Sequence, residues 1–83
     1  MVELDRDELR RIIIFCDGAC SGNPGKGGWG AVVVRPDGLV TELGAGYQET
    51  TNNQMEMTAV LRSLQNVEND PTPVTVYTVS VYV

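Results

Sequence analysis

The sequence predicts a mixed α/β fold, in which one helix connects a three-stranded antiparallel meander to a fourth strand. Short runs rich in β-branched residues lie on both sides of a single helical segment. A helix that joins two strands of one sheet forms a crossover, so the fourth strand should lie parallel to the first. The expected strand order is therefore 3-2-1-4.

The first half of the chain predicts the meander. The apolar run of residues 12–16 is typical of a central strand that is covered on both faces. The glycine-rich residues 21–28 are expected to form a loop, after which residues 29–35 form the second strand. The Pro-Asp-Gly sequence of residues 36–38 predicts a tight turn into a third strand, residues 39–47.

The second half predicts the helix and the last strand. The helix should run from about residue 52 to residue 67, because Thr51 and Gln54 form a capping-box pattern at its start. The prolines at residues 71 and 73 end it, and residues 74–83 follow as the fourth strand. One apolar stripe should pack the helix on the sheet; it consists of Met57, Val60, Leu61, Leu64 and Val67.

Size and composition limit the class of protein. The chain has 83 residues, of which 42% are hydrophobic and 20% charged, which is typical of one globular domain. Acidic and basic residues alternate over residues 1–10, so we expect a polar lead there and the domain over residues 11–83. Without a signal peptide or an apolar run long enough to cross a bilayer, it should be soluble and cytoplasmic, with no membrane contact. Cys16 and Cys20 have no histidine to complete a zinc site, and are expected to be reduced thiols.

Two acidic residues are candidates for chemistry. Asp17 ends the first predicted strand and Glu56 lies in the first turns of the helix, so their carboxylates should converge at the edge where parallel strands end. Such oxygens suit Mg²⁺, and two ions about 4 Å apart can hydrolyse a phosphodiester, although that requires about three or four carboxylates. In the simpler alternative, Asp17 only forms a turn and Glu56 only favours the helix dipole.

Three segments carry a family resemblance. Residues 17–31 read DGACSGNPGKGGWGA, residues 50–60 read TTNNQMEMTAV, and residues 75–83 read TVYTVSVYV. Together they resemble type 1 ribonuclease H, over residues 11–83 of this chain and about the first half of the family domain. The resemblance implies a ribonuclease H-like fold and cleavage of the RNA strand of RNA/DNA hybrids with two Mg²⁺ or Mn²⁺ ions.

The resemblance also implies roles for the acidic residues. Asp17 would bridge the metals with the Gly18 carbonyl nearby, and Glu56 would ligate the second metal and position the attacking water. Val79 occupies a position that is a metal-binding aspartate in the family, and valine has no lone pair to offer. The fourth acidic ligand, later helices and a basic loop would follow Val83. We therefore expect weak metal binding, and a chain that is inactive or severely impaired alone.

Four polar residues are implied in binding the hybrid. Asn23, Asn52 and Asn53 would reach the minor groove and the 2′-hydroxyls, which distinguish RNA from DNA. Thr51 would contact a phosphate of the DNA strand. The simpler alternative gives these residues loop and capping duties alone. The net charge of −5 argues against tight binding of nucleic acid by this chain, because phosphate contacts require a basic surface.

The fourth strand raises non-catalytic alternatives. Residues 75–83 are β-branched and aromatic without charge or proline, and they should lie at a sheet edge. Such a strand is expected to pair with a copy of itself, and Val79→Asp should weaken that assembly. The chain is then a self-assembling or hybrid-binding module rather than an enzyme. In a further alternative, a separate chain completes the active site.

Overall fold

A computed structural model describes Arg6 and residues 8–78 of the chain. A short 3-10 helix, Glu8–Arg10, precedes one four-stranded sheet of order β3-β2-β1-β4. Strand β4 runs parallel to β1 and the other pairs are antiparallel, so the predicted fold class and strand order are confirmed. The elements are β1 (Ile12–Gly22), β2 (Gly25–Val34), β3 (Val40–Thr50), helix α1 (Asn52–Asn66) and β4 (Val74–Thr78).

Strands β1 and β2 form a longer hairpin than predicted. The expected loop over residues 21–28 is wrong, because only Asn23 and Pro24 connect the two strands. Gly22 has a φ of 91° beside the turn, whereas other glycines of this hairpin are present because space is short. A Cβ atom on Gly27 would lie 2.6 Å from both the Ala19 carbonyl oxygen and the Thr50 Cγ2 atom. Close backbone approach therefore replaces the flexible loop that the composition suggested.

The turn between β2 and β3 agrees with the prediction. The Asp37 carboxylate accepts a hydrogen bond of 2.9 Å from the Leu39 amide, and Gly38 has a φ of 91°. Strand β3 then continues to Thr50, three residues beyond the expected end, which delivers the chain directly to the start of α1.

Helix α1 begins as predicted but presents another face to the sheet. The Thr51 hydroxyl accepts from the Gln54 amide, and the Gln54 side chain accepts from the Thr51 amide, which completes the capping box. Of the predicted stripe, Val67 is buried and Val60 packs at the margin of the core. The prediction is wrong for three members that are exposed, namely Met57, Leu61 and Leu64.

The face of α1 that does pack on the sheet combines Met55 with two small residues. Met55, Ala59 and Ser63 are the buried positions of the helix. Ser63 satisfies its own hydroxyl by donating to the Ala59 carbonyl oxygen at 2.5 Å. Because Ala59 and Ser63 are short, the helix axis can lie close to the strands, and a stripe of leucines there would not fit.

The core lies between α1 and one face of the sheet. Ala59 and Val67 supply the helical side of the core. The members from the sheet belong to its two central strands, β1 and β2, and are Ile12, Ile14, Cys16, Ala31 and Val33. Residues 79–83, which were predicted to continue β4, lie outside the described residues, as does most of the polar lead. Across the described part of the chain, no helix has the length and hydropathy needed to span a membrane.

Candidate active site

Asp17 directly follows the last described residue pair of the parallel strands β1 and β4. Pairing between β1 and β4 runs from Ile12 opposite Val74 to Cys16 opposite Thr78. The predicted end of the first strand at Asp17 is wrong. Strand β1 continues in the hairpin with β2, where Asp17 pairs with Gly30. The Asp17 side chain is exposed. Its position is the edge of a parallel pair at which ligands commonly bind.

Gly18 brings the first turns of α1 against this edge. A Cβ atom at Gly18 would overlap the Met55 carbonyl carbon and would lie 2.7 Å from the Glu56 nitrogen. The strand and the helix backbone are therefore in direct contact one residue after Asp17. As a result, Asp17, Gly18 and Glu56 line the same open cavity of about 450 Å³.

A second cavity adjoins the first turn of α1. It has a volume of about 340 Å³ and is lined by Asn23, Thr51, Asn52, Asn53 and Glu56. The hairpin connection and the helix start thus bring together all four residues that the resemblance linked to the hybrid. The three asparagine side chains are exposed. Glu56 borders both cavities, so it connects the acidic pair to the asparagine cluster.

The oxygen donors fit Mg²⁺ or Mn²⁺ in type but are few in number. Asp17, Gly18 and Glu56 line the first cavity. Carboxylate and backbone carbonyl oxygens are the hard ligands that such ions prefer. Among the described residues, no group of three or more acidic, cysteine or histidine side chains could hold a metal ion. Val79, which stands where the resemblance implies a metal-binding aspartate, lies outside the described residues.

The two cysteines are free thiols in different surroundings. Cys16 is buried beneath the site, and desolvation followed by the negative charge of Asp17 raises the pKa of its thiol. The Cys20 thiol is partly exposed and donates to the Thr50 carbonyl oxygen at 3.1 Å. Burial favours the neutral thiol, and Cys16 is one of the packing groups of the hydrophobic core.

An apolar wall of the first cavity was missed by sequence reasoning. Met57, Val60, Leu61 and Leu64 line it on the helix side, and Thr78 lines it on the β4 side. The sequence does contain the signal, because α1 carries apolar residues on two faces rather than one. Met55 and Ala59 belong to the face on the sheet, whereas Met57, Leu61 and Leu64 belong to the face on the cavity.

Comparison with known proteins identifies the family. The RNase H family model matches residues 9–83. The chain belongs to the RNase H family. It is 49% identical over 78 residues to a ribonuclease H of Ehrlichia ruminantium (strain Gardel), covering 94% of this chain and 52% of that protein. Ribonuclease H of Cupriavidus pinatubonensis is 52% identical over 75 residues, with 90% and 50% covered.

Solved RNase H structures share the fold. A crystal structure of LC11-RNase H1 in complex with an RNA/DNA hybrid has a TM-score of 0.73 and 36% identity, covering 84% of this chain and 55% of that one. RNase H1 from Halobacterium salinarum has a TM-score of 0.70 and 32% identity, with the same coverage. The resemblance drawn from the sequence is thereby confirmed. The chain spans about half the length of the curated relatives it matches.

Proposed function

We propose that this chain carries part of an RNase H active site, which acts on the RNA strand of RNA/DNA hybrids. The observation that supports this most directly is the position of Glu56, which borders the cavity of Asp17 and Gly18 as well as the cavity of the asparagine cluster. A phosphodiester at the acidic pair would then belong to a strand that the asparagines contact. The cytoplasmic location expected from the sequence is part of the proposal.

Asp17, Glu56 and the Gly18 carbonyl are the groups that would hold Mg²⁺ or Mn²⁺. When bound, such ions supply an activated water and stabilise the leaving oxygen of a phosphodiester. Two carboxylates offer less charge than a two-ion site requires, so binding should be weak. Hydrolysis by this chain alone should be absent or severely impaired.

The asparagine cluster supplies the contacts that would select a hybrid. Side-chain amides both donate and accept hydrogen bonds, which suits 2′-hydroxyls and base edges in a minor groove. Thr51 already accepts a hydrogen bond from Gln54 as the helix cap, and its hydroxyl proton can still be donated to a phosphate. With a net charge of −5, the chain should bind weakly and lose affinity as salt rises.

Binding and cleavage of labelled duplexes test the proposal. Fluorescence anisotropy at low salt should give a higher affinity for an RNA/DNA hybrid than for DNA of the same sequence. Asn52→Ala should remove that preference, whereas Asn66→Ala, an exposed asparagine at the other end of α1, should retain it. Any residual cleavage in Mg²⁺ or Mn²⁺ should disappear in Glu56→Gln and survive in Glu68→Gln. Equal affinity for hybrid and DNA would contradict the proposal, as would cleavage that persists in Glu56→Gln.

A second candidate function is self-association through β4. This strand lies at the sheet edge, and among the described strands only β1 pairs with it. Tyr77 is 38% exposed on this strand and stacks on Phe15 with ring centroids 5.4 Å apart. An aromatic edge strand of this kind can pair with another copy of the chain.

A further inference from the structure

We propose that Thr50 is a positioning residue for the asparagine cluster, which consists of Asn23, Asn52 and Asn53. Thr50 ends β3 and directly precedes the helix cap. It does not line the asparagine cavity itself, but it contacts the two segments that carry the three asparagines. This inference rests on the proposed function and deepens it, because it explains how the side chains that would select a hybrid are held at one spacing.

The first contact of Thr50 is with the β1–β2 hairpin. Its carbonyl oxygen accepts a hydrogen bond of 3.1 Å from the Cys20 thiol on β1, and its backbone pairs with Gly25 on β2. The Cγ2 atom of Thr50 occupies the space beside Gly27, where a Cβ atom would lie 2.6 Å from it. Because Cys20 precedes Asn23 in the chain and Gly25 follows it, Thr50 holds the hairpin on both sides of its connection.

The second contact of Thr50 is with the start of α1. The Thr50 hydroxyl donates a hydrogen bond of 3.1 Å to the side-chain oxygen of Gln54, and the same oxygen accepts from the Thr51 amide at 3.1 Å. The oxygen rather than the nitrogen of Gln54 must lie here, because a backbone amide can only donate. Gln54 thus binds Thr50 and Thr51 at one point, and Asn52 and Asn53 lie in the turn that this contact closes.

The burial of Thr50 makes this link costly to break. Thr50 is 4% exposed, and a buried hydroxyl without a partner destabilises the folded state. Ser63, another buried polar residue, satisfies its hydroxyl within its own helix. The Thr50 hydroxyl instead connects two different elements, the end of β3 and the first turn of α1. Its loss should therefore change the helix start rather than the hydrophobic core, to which Thr50 does not belong.

Selection of a hybrid depends on the spacing that Thr50 maintains. The 2′-hydroxyls and base edges of a duplex have fixed separations, so amides that contact several of them bind best when they are already held at matching separations. Freedom between Asn23 and the helix start would be lost on binding, which lowers the affinity for the hybrid. DNA has no 2′-hydroxyls, so its affinity should fall less.

Nuclear magnetic resonance relaxation of the full 83-residue chain tests the positioning role without nucleic acid or metal. Thr50→Val removes the hydroxyl and keeps the branched shape of the side chain. Backbone order parameters of Asn52 and Asn53 should fall from about 0.85, typical of rigid backbone, toward about 0.6. The order parameter of Ile14 in the core should not change. A general loss of stability would not produce this local difference, because order parameters report motion within the folded state.

Duplex binding measures the consequence for selectivity. Fluorescence anisotropy at low salt gives the ratio of the affinity for an RNA/DNA hybrid to the affinity for DNA of the same sequence. This ratio should fall about fivefold in Thr50→Val, which corresponds to the net contribution of one hydrogen bond. Thr50→Ser keeps the hydroxyl, and should retain both the ratio and the order parameters of the unaltered chain.

Thr41→Val is the matched control. Thr41 lies on the same strand, where it pairs with Val33 near the β2–β3 turn and away from the asparagine cluster. This variant should keep the affinity ratio of the unaltered chain. Circular dichroism verifies that each variant is folded. If Thr50→Val does not fold, Gln54→Met replaces it at an exposed position that loses the accepting oxygen, with Gln54→Glu as the variant that keeps one.

Three results would overturn the proposal. They are unchanged order parameters at residues 52 and 53 in a folded Thr50→Val, an unaltered hybrid preference in that variant, and a Thr50→Ser variant that behaves like Thr50→Val. Equal affinity of the unaltered chain for hybrid and DNA would instead contradict the proposed function. The order parameters would then still decide whether Thr50 positions the helix start, because they are measured without a duplex.

Discussion

The Glu56 amide nitrogen lies 2.7 Å from the point that a Cβ atom of Gly18 would occupy. Only hydrogen fits between the strand and the helix at this position. The contact fixes how far the helix turn that carries Glu56 stands from the strand that carries Asp17. The spacing of the acidic pair therefore depends on a residue that has no side chain.

Gly18→Ala should destabilise the fold, because the added methyl group overlaps the backbone of α1. Overpacking of this kind costs about 1 to 3 kcal/mol. Urea unfolding monitored by circular dichroism measures the loss. Gly30→Ala is the control, since its Cβ would meet only the Leu43 carbonyl oxygen at 3.9 Å. Equal stability of the two variants would show that α1 is not seated tightly on Gly18.

Thr51→Ala should remove the hydrogen bond in which the Thr51 hydroxyl accepts from the Gln54 amide, one of the two bonds of the capping box. Loss of a threonine N-cap typically costs about 1 kcal/mol, and here the first turn also carries Asn52 and Asn53. Thermal unfolding should show a lower midpoint than in Thr58→Ala, whose hydroxyl donates only to the Gln54 carbonyl within the helix. A larger loss in Thr58→Ala would contradict this account of the capping box.

Mn²⁺ titration should reveal weak binding that depends on Asp17. Removing its charge leaves Glu56 as the one carboxylate of the pair, so Asp17→Asn should abolish the measurable heat. Asp37→Asn is the control, because it removes the same charge at a distant turn while keeping an oxygen that can accept from Leu39. Identical titrations for both variants would place the ion elsewhere.

The two thiols should differ in their response to pH. Burial and then Asp17 raise the pKa of Cys16 above its ordinary value of 9.0, so at pH values below this its thiolate fraction is smaller than that of an unperturbed thiol. Alkylation followed by mass spectrometry should modify the more accessible Cys20 first, with Cys16 reacting more slowly and at higher pH than an exposed thiol. Asp17→Asn removes one cause of the shift and should move the Cys16 profile to lower pH. An unchanged profile would mean that burial alone controls this thiol.

Self-association through β4 should respond to a charge at Tyr77. Tyr77→Lys places a cation on the edge strand, which opposes pairing with another chain. Light scattering at tens of micromolar should show a smaller species than for the unaltered chain. Tyr47→Lys is the control, because Tyr47 is 40% exposed but lies on β3 at the opposite edge. A 9.0 kDa species for the unaltered chain would exclude the assembly.

The predictable parts of the fold are those controlled by local chemistry. Thr51 and Gln54 satisfy each other through neighbouring backbone groups, so the start of α1 can be predicted from four residues. The turn of residues 36–38 is likewise set by its own proline, aspartate and glycine. The strand order follows from the handedness and length of a helical crossover, which the sequence pattern reveals.

The errors arise where distant segments approach each other. Residues 21–28 look like a loop because glycine is common in loops, but Gly27 is required by contacts with Ala19 and Thr50. The sequence predicts that the largest apolar residues of α1 form its buried face, yet Ala59 and Ser63 lie against the sheet because little space is available there. No local pattern specifies that distance. The convergence of Asn23 with the start of α1 depends on the same long-range packing.

The shared position of Glu56 has a thermodynamic consequence. A cation in one cavity and a nucleic acid in the other would both interact with this single carboxylate. Their binding equilibria would then be coupled, and the factor by which the cation changes affinity for the nucleic acid must equal the factor by which the nucleic acid changes affinity for the cation. A cation that offsets the negative charge of Glu56 would reduce its repulsion of phosphates, so each ligand should strengthen the binding of the other.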